Sequence, residues 1–285
     1  MKVNHQQSLV LLSDIDSKHE KRILLDAREV RLRINSIGNI KIGEFLEIIP
    51  EEKACFNNVF AIDVSTVKLG VSYLGEVHAI RGATVIKKND SLTINRTRPM
   101  IVFGEISDAQ ISFELEEQFK SISSARDSII LLDGDLNEIT SISRPAGLFD
   151  SLKTASNVIV SISKGFVIPS VRLPKEVEDS PFIGSVLNGR SDREYLVRFK
   201  LGSPILKIEI YPKMELEELS KVLASLIFLD GVEYGYPETL RIAHIYSKIL
   251  PVDALTLRYV IQKKFGIEVL REIDNRKILL GGFWS

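Results

Sequence analysis

Two aspartates at the ends of apolar segments are the first candidates for chemistry in this chain. Asp133 follows four successive aliphatic residues, and Asp63 follows the apolar run that begins at Val59. A segment without a polar face predicts a strand buried on both sides of a sheet. In open α/β sheets ligands bind at the carboxyl ends of such strands. Asp133-Gly134 is also a common turn pair, so a simple turn residue remains the alternative interpretation of Asp133.

The elements around these aspartates decide whether the two side chains meet. Alternating and helical apolar spacing predicts, in chain order, three antiparallel strands within 59–65 and 68–88, a helix at 108–125, the strand of Asp133, a helix at 145–156 and a strand ending at Ser163 and Lys164. This is the order of a ribonuclease H-like core, a mixed-sheet α/β fold. In that topology the first strand and the strand after the first helix are parallel neighbours. We therefore expect Asp63 and Asp133 within a few ångströms of each other.

The remaining chain predicts additions at both ends of this core. Residues 1–55 form an N-terminal extension, in which a charged, helix-like stretch within 18–48 would pack on the core or on a partner chain. Residues 56–285 form the ribonuclease H-like domain. Beyond Lys164 the sequence predicts a long loop rich in Pro and Gly, a hairpin over 194–212, and helices at 215–229, 238–249 and 253–264.

Composition excludes some classes of protein. The chain has 45% hydrophobic and 26% charged residues, a net charge of −1 and one cysteine. Its apolar runs are too short for a membrane span, its N-terminus is a poor signal peptide, and the single cysteine fits a reducing cytoplasm. Charge is uneven, with ten acidic and three basic residues in 101–150 and ten basic and six acidic residues in 151–213. That pattern suits a metal site beside a phosphate-binding surface, and equally an ordinary solvated exterior.

Two close carboxylates favour a metal ion. Leaving both ionised in a partly buried site is costly unless a cation compensates. Hard divalent ions such as Mg²⁺ and Mn²⁺ take oxygen ligands. With a third carboxylate, two ions about 4 Å apart would clamp a phosphodiester. The helix at 108–125 offers Glu114, Glu116 and Glu117, although glutamates on an amphipathic helix are usually only solvated.

A last stretch connects these features. Gly235-Tyr236-Pro237 is a helix-start signal, and His244 follows on the same helix. The sequence resembles the NurA nuclease family over about residues 59–250. The motifs that carry the resemblance are, in order, Ile62-Asp63-Val64-Ser65, the glutamates of 114–117, Leu132-Asp133-Gly134, Ser163-Lys164, and Gly235-Tyr236-Pro237 with His244. Val64 departs from the glycine usual in the family, which would make a turn after the first strand less permissive.

The resemblance implies a metal-dependent DNA nuclease. Its members act on single-stranded DNA and DNA ends as 5′–3′ exonucleases and as endonucleases, prefer Mn²⁺ with Mg²⁺ as the alternative, and use two ions. They are homodimers that dock on a HerA-type hexameric ATPase in DNA end resection. Residues 1–55 would then contribute to dimerisation, and the protein would work in the cytoplasm without contacting a membrane.

The resemblance also implies a role for each candidate residue. Asp63 and Asp133 would be metal ligands, with Glu116, or else Glu114, completing the carboxylate set. His244 would bind metal or transfer a proton, since an imidazole exchanges protons near neutral pH. Tyr236 would orient phosphate or water, and Lys164 would neutralise phosphate charge.

The basic region supplies candidates for DNA binding, and two other functions compete. The candidates for phosphate contacts are Arg172, Lys175, Arg190, Arg193, Arg198 and Lys200, although each is also explained as a solvated side chain. One alternative function is a catalytically inactive assembly or DNA-binding subunit with the same fold. Another is a phosphotransferase of the actin-like type, against which the chain has no Gly-rich phosphate loop.

Overall fold

A single large sheet organises the protein. The computed structural model describes residues 42–49, 54–134, 156–168, 179–186 and 191–270. The strands of the large sheet are β1 (Ile42–Glu47), β2 (Asn58–Ser72), β3 (Gly75–Lys88), β4 (Ser91–Arg96), β5 (Met100–Phe103), β6 (Ser128–Asp133), β7 (Val158–Ile168), β8 (Phe182–Val186), β9 (Glu194–Arg198) and β10 (Ile205–Tyr211). The helices are α1 (Ser107–Ser124), α2 (Leu216–Asp230), α3 (Glu238–Ser247) and α4 (Pro251–Phe265). A short ribbon of β11 (Val232–Glu233) and β12 (Tyr236–Pro237) precedes α3.

Strand order confirms the predicted ribonuclease H-like core. The sheet runs β1-β8-β9-β10-β7-β6-β2-β3-β4, with β5 paired to β3. β2 is antiparallel to β3 and parallel to β6, and β6 is parallel to β7. A helix, α1, lies between the antiparallel meander and β6 in the chain, as expected. The parallel pairs therefore occupy the middle of the sheet, where both faces are covered.

Each face of the sheet packs against its own helices. Residues of α2 and α3, such as Leu223 and Leu240, form one cluster with Ala61 and Leu131. On the opposite face, Ile122 of α1 packs with alternate residues of the same strands, Ile62 and Leu132 among them. A third cluster joins α4 to the far ends of β2 and β3. Successive residues of a strand point to opposite faces of the sheet, so alternate side chains of β2 and β6 pack against different helices.

Several predicted elements need correction. The region 59–72 is one strand, because the irregularity between Lys68 and Gly70 is absorbed as a bulge while pairing with β3 continues on both sides. The third strand of the meander is β4. β7 continues past Lys164 to Ile168, since Ile168 pairs with Ile205 of β10.

The predicted long loop after Lys164 contains a strand that was missed. β8 pairs with both β1 and β9. Gly184, which suggested a loop, serves packing instead, because the ring of Phe45 lies where its β-carbon would be. β1 falls within the predicted N-terminal extension and is a strand of the sheet. The helix predicted within 18–48 lies mainly outside the described residues, and the helix at 145–156 lies there except for Ser156, a turn residue.

The remaining predicted helices agree with the structure. The helix at 108–125 is α1, the three C-terminal helices are α2, α3 and α4, and the hairpin over 194–212 is β9 and β10. Of the helices that the structure describes, none is both long and apolar enough to cross a membrane.

Candidate metal centre

Asp63 lies just past the end of the parallel pairing between β2 and β6. Parallel pairing of β2 with β6 covers Asn58–Ile62, and Asp63 is the next residue. β2 itself continues, with Asp63 paired to Ala83 of β3. The side chain of Asp63 is only 1% exposed. Val64 is buried in the continuing strand, so the turn that a glycine would have served does not exist here.

Asp133 is the last residue of β6 and lies beside Asp63. Gly134 follows with φ of +133°, a conformation that ends the strand and favours glycine. Asp63 and Asp133 each come two residues after Ala61 and Leu131, which face α2 and α3. Alternation along a strand therefore places both carboxylates on that same face. The Asp133 side chain is 9% exposed.

His244 reaches both carboxylates from α3. Its Nδ1 lies 3.2 Å from Asp63 Oδ2 and 3.7 Å from Asp133 Oδ2. The neighbouring Leu240 and Ala243 are completely buried and fix this helix on the sheet. About half of the imidazole surface stays exposed, so the site is open to solvent on the histidine side. The predicted convergence of Asp63, Asp133 and His244 is what the structure shows.

Ser247 completes the group and was missed by the sequence analysis. Its side chain is buried, and its hydroxyl donates a hydrogen bond to Asp63 Oδ2, the same oxygen that His244 approaches. Ser247 comes three residues after His244, and side chains at that spacing share one face of a helix. This spacing is the signal by which the serine could have been found.

Tyr236 lies against the carboxylates from the start of α3. Burial raises the pKa of its phenol, and the nearby charges of Asp133 and Asp63, with a hydrogen bond to Asp133, add to the effect. The phenol therefore keeps its proton and acts as a donor. Gly235 makes the approach feasible, since a β-carbon there would overlap the side chain of Ser203 in the β9–β10 turn, and its φ is +79°.

The donor set fits a divalent cation. One ligand atom from each of Asp63, Asp133 and His244 lies within 4.8 Å of the others. Among the described residues, these three form the group of His, Cys, Asp or Glu side chains that could hold a metal ion. Two nearly buried carboxylates repel each other, and an imidazole that is half exposed offsets their charge only in part. Carboxylate oxygens with one imidazole nitrogen suit Mn²⁺ and Mg²⁺.

The glutamates of α1 lie apart from this group. Glu116 is 63% exposed and pairs with Lys120 at 2.8 Å, so the structure does not bring it to the aspartates. Glu114 is half-buried and precedes Gln118, which is buried and donates a hydrogen bond to it. Gln118, Ser121 and Ile122 mark the sheet-facing side of α1. Glu114 is on that side and Glu116 is not, because two residues turn a helix through about 200°.

Ser163 and Lys164 occupy positions beyond the end of β6. Ile162 is the register partner of Asp133, and the two residues follow it along β7. Ser163 is buried. The backbone position of Lys164 is thus at the same end of the sheet as the two aspartates.

The three predicted DNA-binding residues that the structure describes, Arg193, Arg198 and Lys200, do not form one surface. Arg172, Lys175 and Arg190 lie outside the described residues. Arg198 is buried, donates hydrogen bonds to the Ser180 carbonyl and stacks on Phe182, which argues against a DNA contact. Lys200 is exposed in the β9–β10 turn, at the same end of the sheet as the metal centre. Arg193 stacks on Tyr211 at the opposite end of that hairpin, about 20 Å away by strand length.

One comparison with a solved structure supports the fold. No protein-family model matches the chain, and no curated protein matches it. Among solved structures, the NurA nuclease of Sulfolobus solfataricus superposes with a TM-score of 0.55 at 15% identity, covering 90% of this chain and 97% of that one. Endonuclease V of Streptomyces avermitilis superposes with a TM-score of 0.42 at 15% identity, covering 82% of this chain and 93% of that one. The resemblance predicted from the motifs is therefore confirmed at the level of the fold, which this chain shares with a NurA nuclease.

Proposed function

We propose that the protein is a metal-dependent DNA nuclease. The observation that carries the proposal is the convergence of Asp63, Asp133 and His244 within 4.8 Å, at the end of the parallel pairing between β2 and β6. The fold shared with a NurA nuclease supports the same reaction class. A cleft of acidic ligands needs a cation, and a cation beside an open edge of the sheet suits a phosphodiester substrate.

Asp63, Asp133 and His244 would hold the first cation. Bound there, a divalent ion supplies Lewis-acid stabilisation of the phosphate charge. Glu114 and Glu116 stay proposed ligands for a second ion, but α1 packs on the face of the sheet opposite the two aspartates, so either glutamate would have to reach the ion past the sheet. Of the two, Glu114 lies on the sheet-facing side of α1. Glu116 would first have to give up Lys120 and then turn toward the sheet.

The protein's other groups hold and move protons around the scissile bond. His244 has a second proposed role as an alternative to metal binding: its half-exposed imidazole contacts both carboxylates and would take up or release a proton during cleavage. Tyr236, whose raised pKa keeps it protonated, donates to Asp133 and orients that carboxylate. Lys164 is proposed to neutralise phosphate charge, in keeping with its position along β7 beyond the register partner of Asp133.

The finer activity follows the NurA resemblance. We propose 5′–3′ exonuclease and endonuclease action on single-stranded DNA with Mn²⁺ as the preferred ion and two ions per site. A homodimer that docks on a HerA-type ATPase in DNA end resection belongs to the same proposal. Light scattering and co-purification with such an ATPase test the assembly, and a monomer at all concentrations would contradict it.

The nuclease assay uses single strands labelled at the 5′ or the 3′ end, in Mn²⁺, Mg²⁺ and chelator. Asp133→Asn removes one ligand charge and should lower the cleavage rate by more than about 100-fold. Mutating a residue that only hydrogen-bonds to a metal ligand already lowers metal affinity or activity by roughly 10 to 100-fold. The matched control is Asp127→Asn, the same substitution at the other end of β6, where Asp127 is exposed and has φ of +46°, which asparagine tolerates.

Two results would decide against the proposal. Full activity of Asp133→Asn would exclude the two-carboxylate site. A wild-type protein that binds DNA and cleaves none in either ion would instead identify a catalytically inactive DNA-binding subunit.

A further inference from the structure

A cluster of cationic side chains lies directly beside the metal centre, toward the β4 edge of the sheet. The described strands of the basic region 151–213 lie in the opposite direction from the metal centre. Asp63 of β2 pairs with Ala83 of β3, and Ala83 pairs with Arg96 of β4. Residues directly opposite each other in antiparallel strands point to the same face. Arg96 therefore points to the same face of the sheet as Asp63, the face that carries α3. The two residues are two strands apart, so their α-carbons are about 10 Å from each other.

Contacts at the end of α3 link this cluster to the site. Ser247 donates to Asp63, and the carbonyl of the next residue, Lys248, accepts hydrogen bonds from Arg81 at 3.0 Å and Arg96 at 3.4 Å. The chain of contacts from Asp63 to Arg96 is thus short and continuous. The side chain of Lys248 is exposed at the same place.

Arg81 and Arg96 differ in burial and in the strength of their contacts. Arg81 is buried and binds Asp253 Oδ2 at 2.9 Å, a hydrogen bond that lowers the pKa of that carboxyl. Arg96 shares the same oxygen at 3.5 Å and remains 42% exposed. Arg81 thus joins β3 to the junction between α3 and α4 through its contacts with the Lys248 carbonyl and Asp253. Arg96 contributes long contacts there and keeps much of its guanidinium in solvent.

We propose that Arg96, together with Lys248, binds a backbone phosphate of the DNA strand on the β4 side of the metal centre. This inference rests on the proposed nuclease function. A strand that passes the two aspartates meets two negative charges, so it needs a cation close beyond them. Arg96 is on the same face, half exposed and next to the site. A guanidinium presents a planar pair of donors that matches two phosphate oxygens.

Equilibrium binding is the first test. In the Asp133→Asn background, which stops cleavage, Arg96→Ala should weaken binding of a labelled oligothymidine of about 20 nucleotides roughly ten-fold at low salt. The slope of log affinity against log salt should fall by about 0.7, the value for one phosphate contact in a single strand. The matched control is Arg126→Ala, an exposed arginine before β6, at the opposite end of that strand from Asp133, and it should change neither quantity.

Kinetics in the otherwise wild-type protein is the second test. Arg96→Ala should raise KM about ten-fold with kcat nearly unchanged, and Arg96→Lys should recover part of the loss because it keeps the charge. Binding equal to that of Asp133→Asn alone would overturn the inference, as would an equal loss in Arg126→Ala. A change of oligomer size in Arg96→Ala with unchanged DNA affinity would identify the cluster as a protein contact instead.

The two proposals fail in different ways. A wild-type protein without cleavage in either metal would remove the nuclease function, whatever the binding results. Cleavage by the wild type, with DNA affinity that does not depend on Arg96, would remove this inference alone.

Discussion

One oxygen atom, Asp63 Oδ2, receives contacts from both His244 and Ser247, and this arrangement defines the chemistry at the scale of single residues. The hydroxyl donor fixes the carboxylate in one orientation, while the imidazole keeps an exposed edge. A carboxylate that is held in place from behind needs little reorganisation to bind a cation. The two α3 residues therefore have distinct tasks.

We propose that His244 takes part in the chemical step of the proposed cleavage. His244→Ala should lower kcat by about 100-fold or more, the usual contribution of a proton-transfer group, and change the affinity for DNA little. Single-turnover cleavage and anisotropy measured on the same oligonucleotide separate the two effects. Weaker DNA binding with unchanged turnover would reassign His244 to substrate contact.

We propose that Ser247, through its hydrogen bond to Asp63, is a positioning residue. Ser247→Ala should raise the Mn²⁺ concentration needed for half-maximal cleavage by roughly 10 to 100-fold, as other losses behind a metal ligand do. Ser247→Thr keeps the hydroxyl and should restore most of the metal affinity.

The control for this variant is Ser225→Ala, another fully buried serine, located on α2 and hydrogen-bonded to the backbone of Cys55. An equal metal dependence of the Ser247→Ala and Ser225→Ala proteins would show that Ser247 only fills space.

Asp63 and Asp133 could be predicted from the ends of apolar runs, whereas His244, inside α3, was predicted only from the resemblance to the NurA family; the structure brings the three side chains together. Sequence reasoning preferred Glu116 over Glu114 by spacing alone, whereas the structure turns Glu116 toward Lys120. The direction of a helix face depends on what the helix packs against. That information is absent from a run of glutamates in which Glu114, Glu116 and Glu117 share the same chemistry.

At the scale of elements, the start of α3 controls where His244 and Ser247 lie. Asp230, at the end of α2, accepts hydrogen bonds from the backbone N–H of Thr239 at 3.1 Å and from its hydroxyl at 2.9 Å. A carboxylate at the first turn of a helix satisfies donors that have no partner within the helix and complements the helix dipole. Burial raises the pKa of Asp230 to about 6, while the hydrogen bonds from Thr239 oppose the increase.

This pKa predicts a pH dependence of stability. The folded protein holds the Asp230 proton more tightly than the unfolded chain, whose pKa is near the ordinary 3.8. The contribution of Asp230 to stability is therefore fully present below about pH 4 and is lost as pH rises through about 6. The loss amounts to roughly 2 to 3 kcal/mol at 1.36 kcal/mol per pKa unit.

Asp230→Asn should remove that part of the pH dependence. The free energy of unfolding, measured by denaturant at pH values from 4 to 7, should fall with rising pH more steeply in the wild type than in the variant. Lys87 and Glu238 lie beside Asp230 and remain unchanged in both proteins. Parallel pH profiles for the two proteins would contradict the assignment.

Most of the element order could be predicted from periodicity, and the exceptions have physical causes. The sequence pattern divided this region between residues 65 and 68, yet β2 is continuous because its pairing to β3 continues across a bulge between Lys68 and Gly70. β8 was missed because its glycine accommodates the ring of Phe45, a contact over 139 positions of sequence that no local pattern contains. Strand boundaries depend on partners, so they appear only when the sheet is assembled.

At the scale of the whole molecule, the metal centre joins three separate parts of the fold. Asp63, Asp133 and His244 belong to β2, β6 and α3. A cation bound by all three stabilises the folded chain and not the unfolded one. Linkage gives about 2.7 kcal/mol when the ion is present at 100 times its Kd.

Thermal unfolding in Mn²⁺ and in chelator tests this coupling without any nuclease activity. The wild-type protein should melt several degrees higher with Mn²⁺, and Asp133→Asn should lose most of the difference. Asp127→Asn should keep it. An equal Mn²⁺ effect in all three proteins would locate the stabilising ion elsewhere.

The distance along the chain between the ligands has a consequence for biosynthesis. A ribosome delivers Asp63 and Asp133 long before the helix that carries His244, and the chain must emerge to residue 247 before α3 can dock on the sheet. Chains that end between residues 133 and 238 therefore contain both carboxylates but lack the imidazole and the helix that carries it. The candidate cation site is therefore assembled late in synthesis, because its third ligand comes from a helix far downstream of the two strands that carry the aspartates.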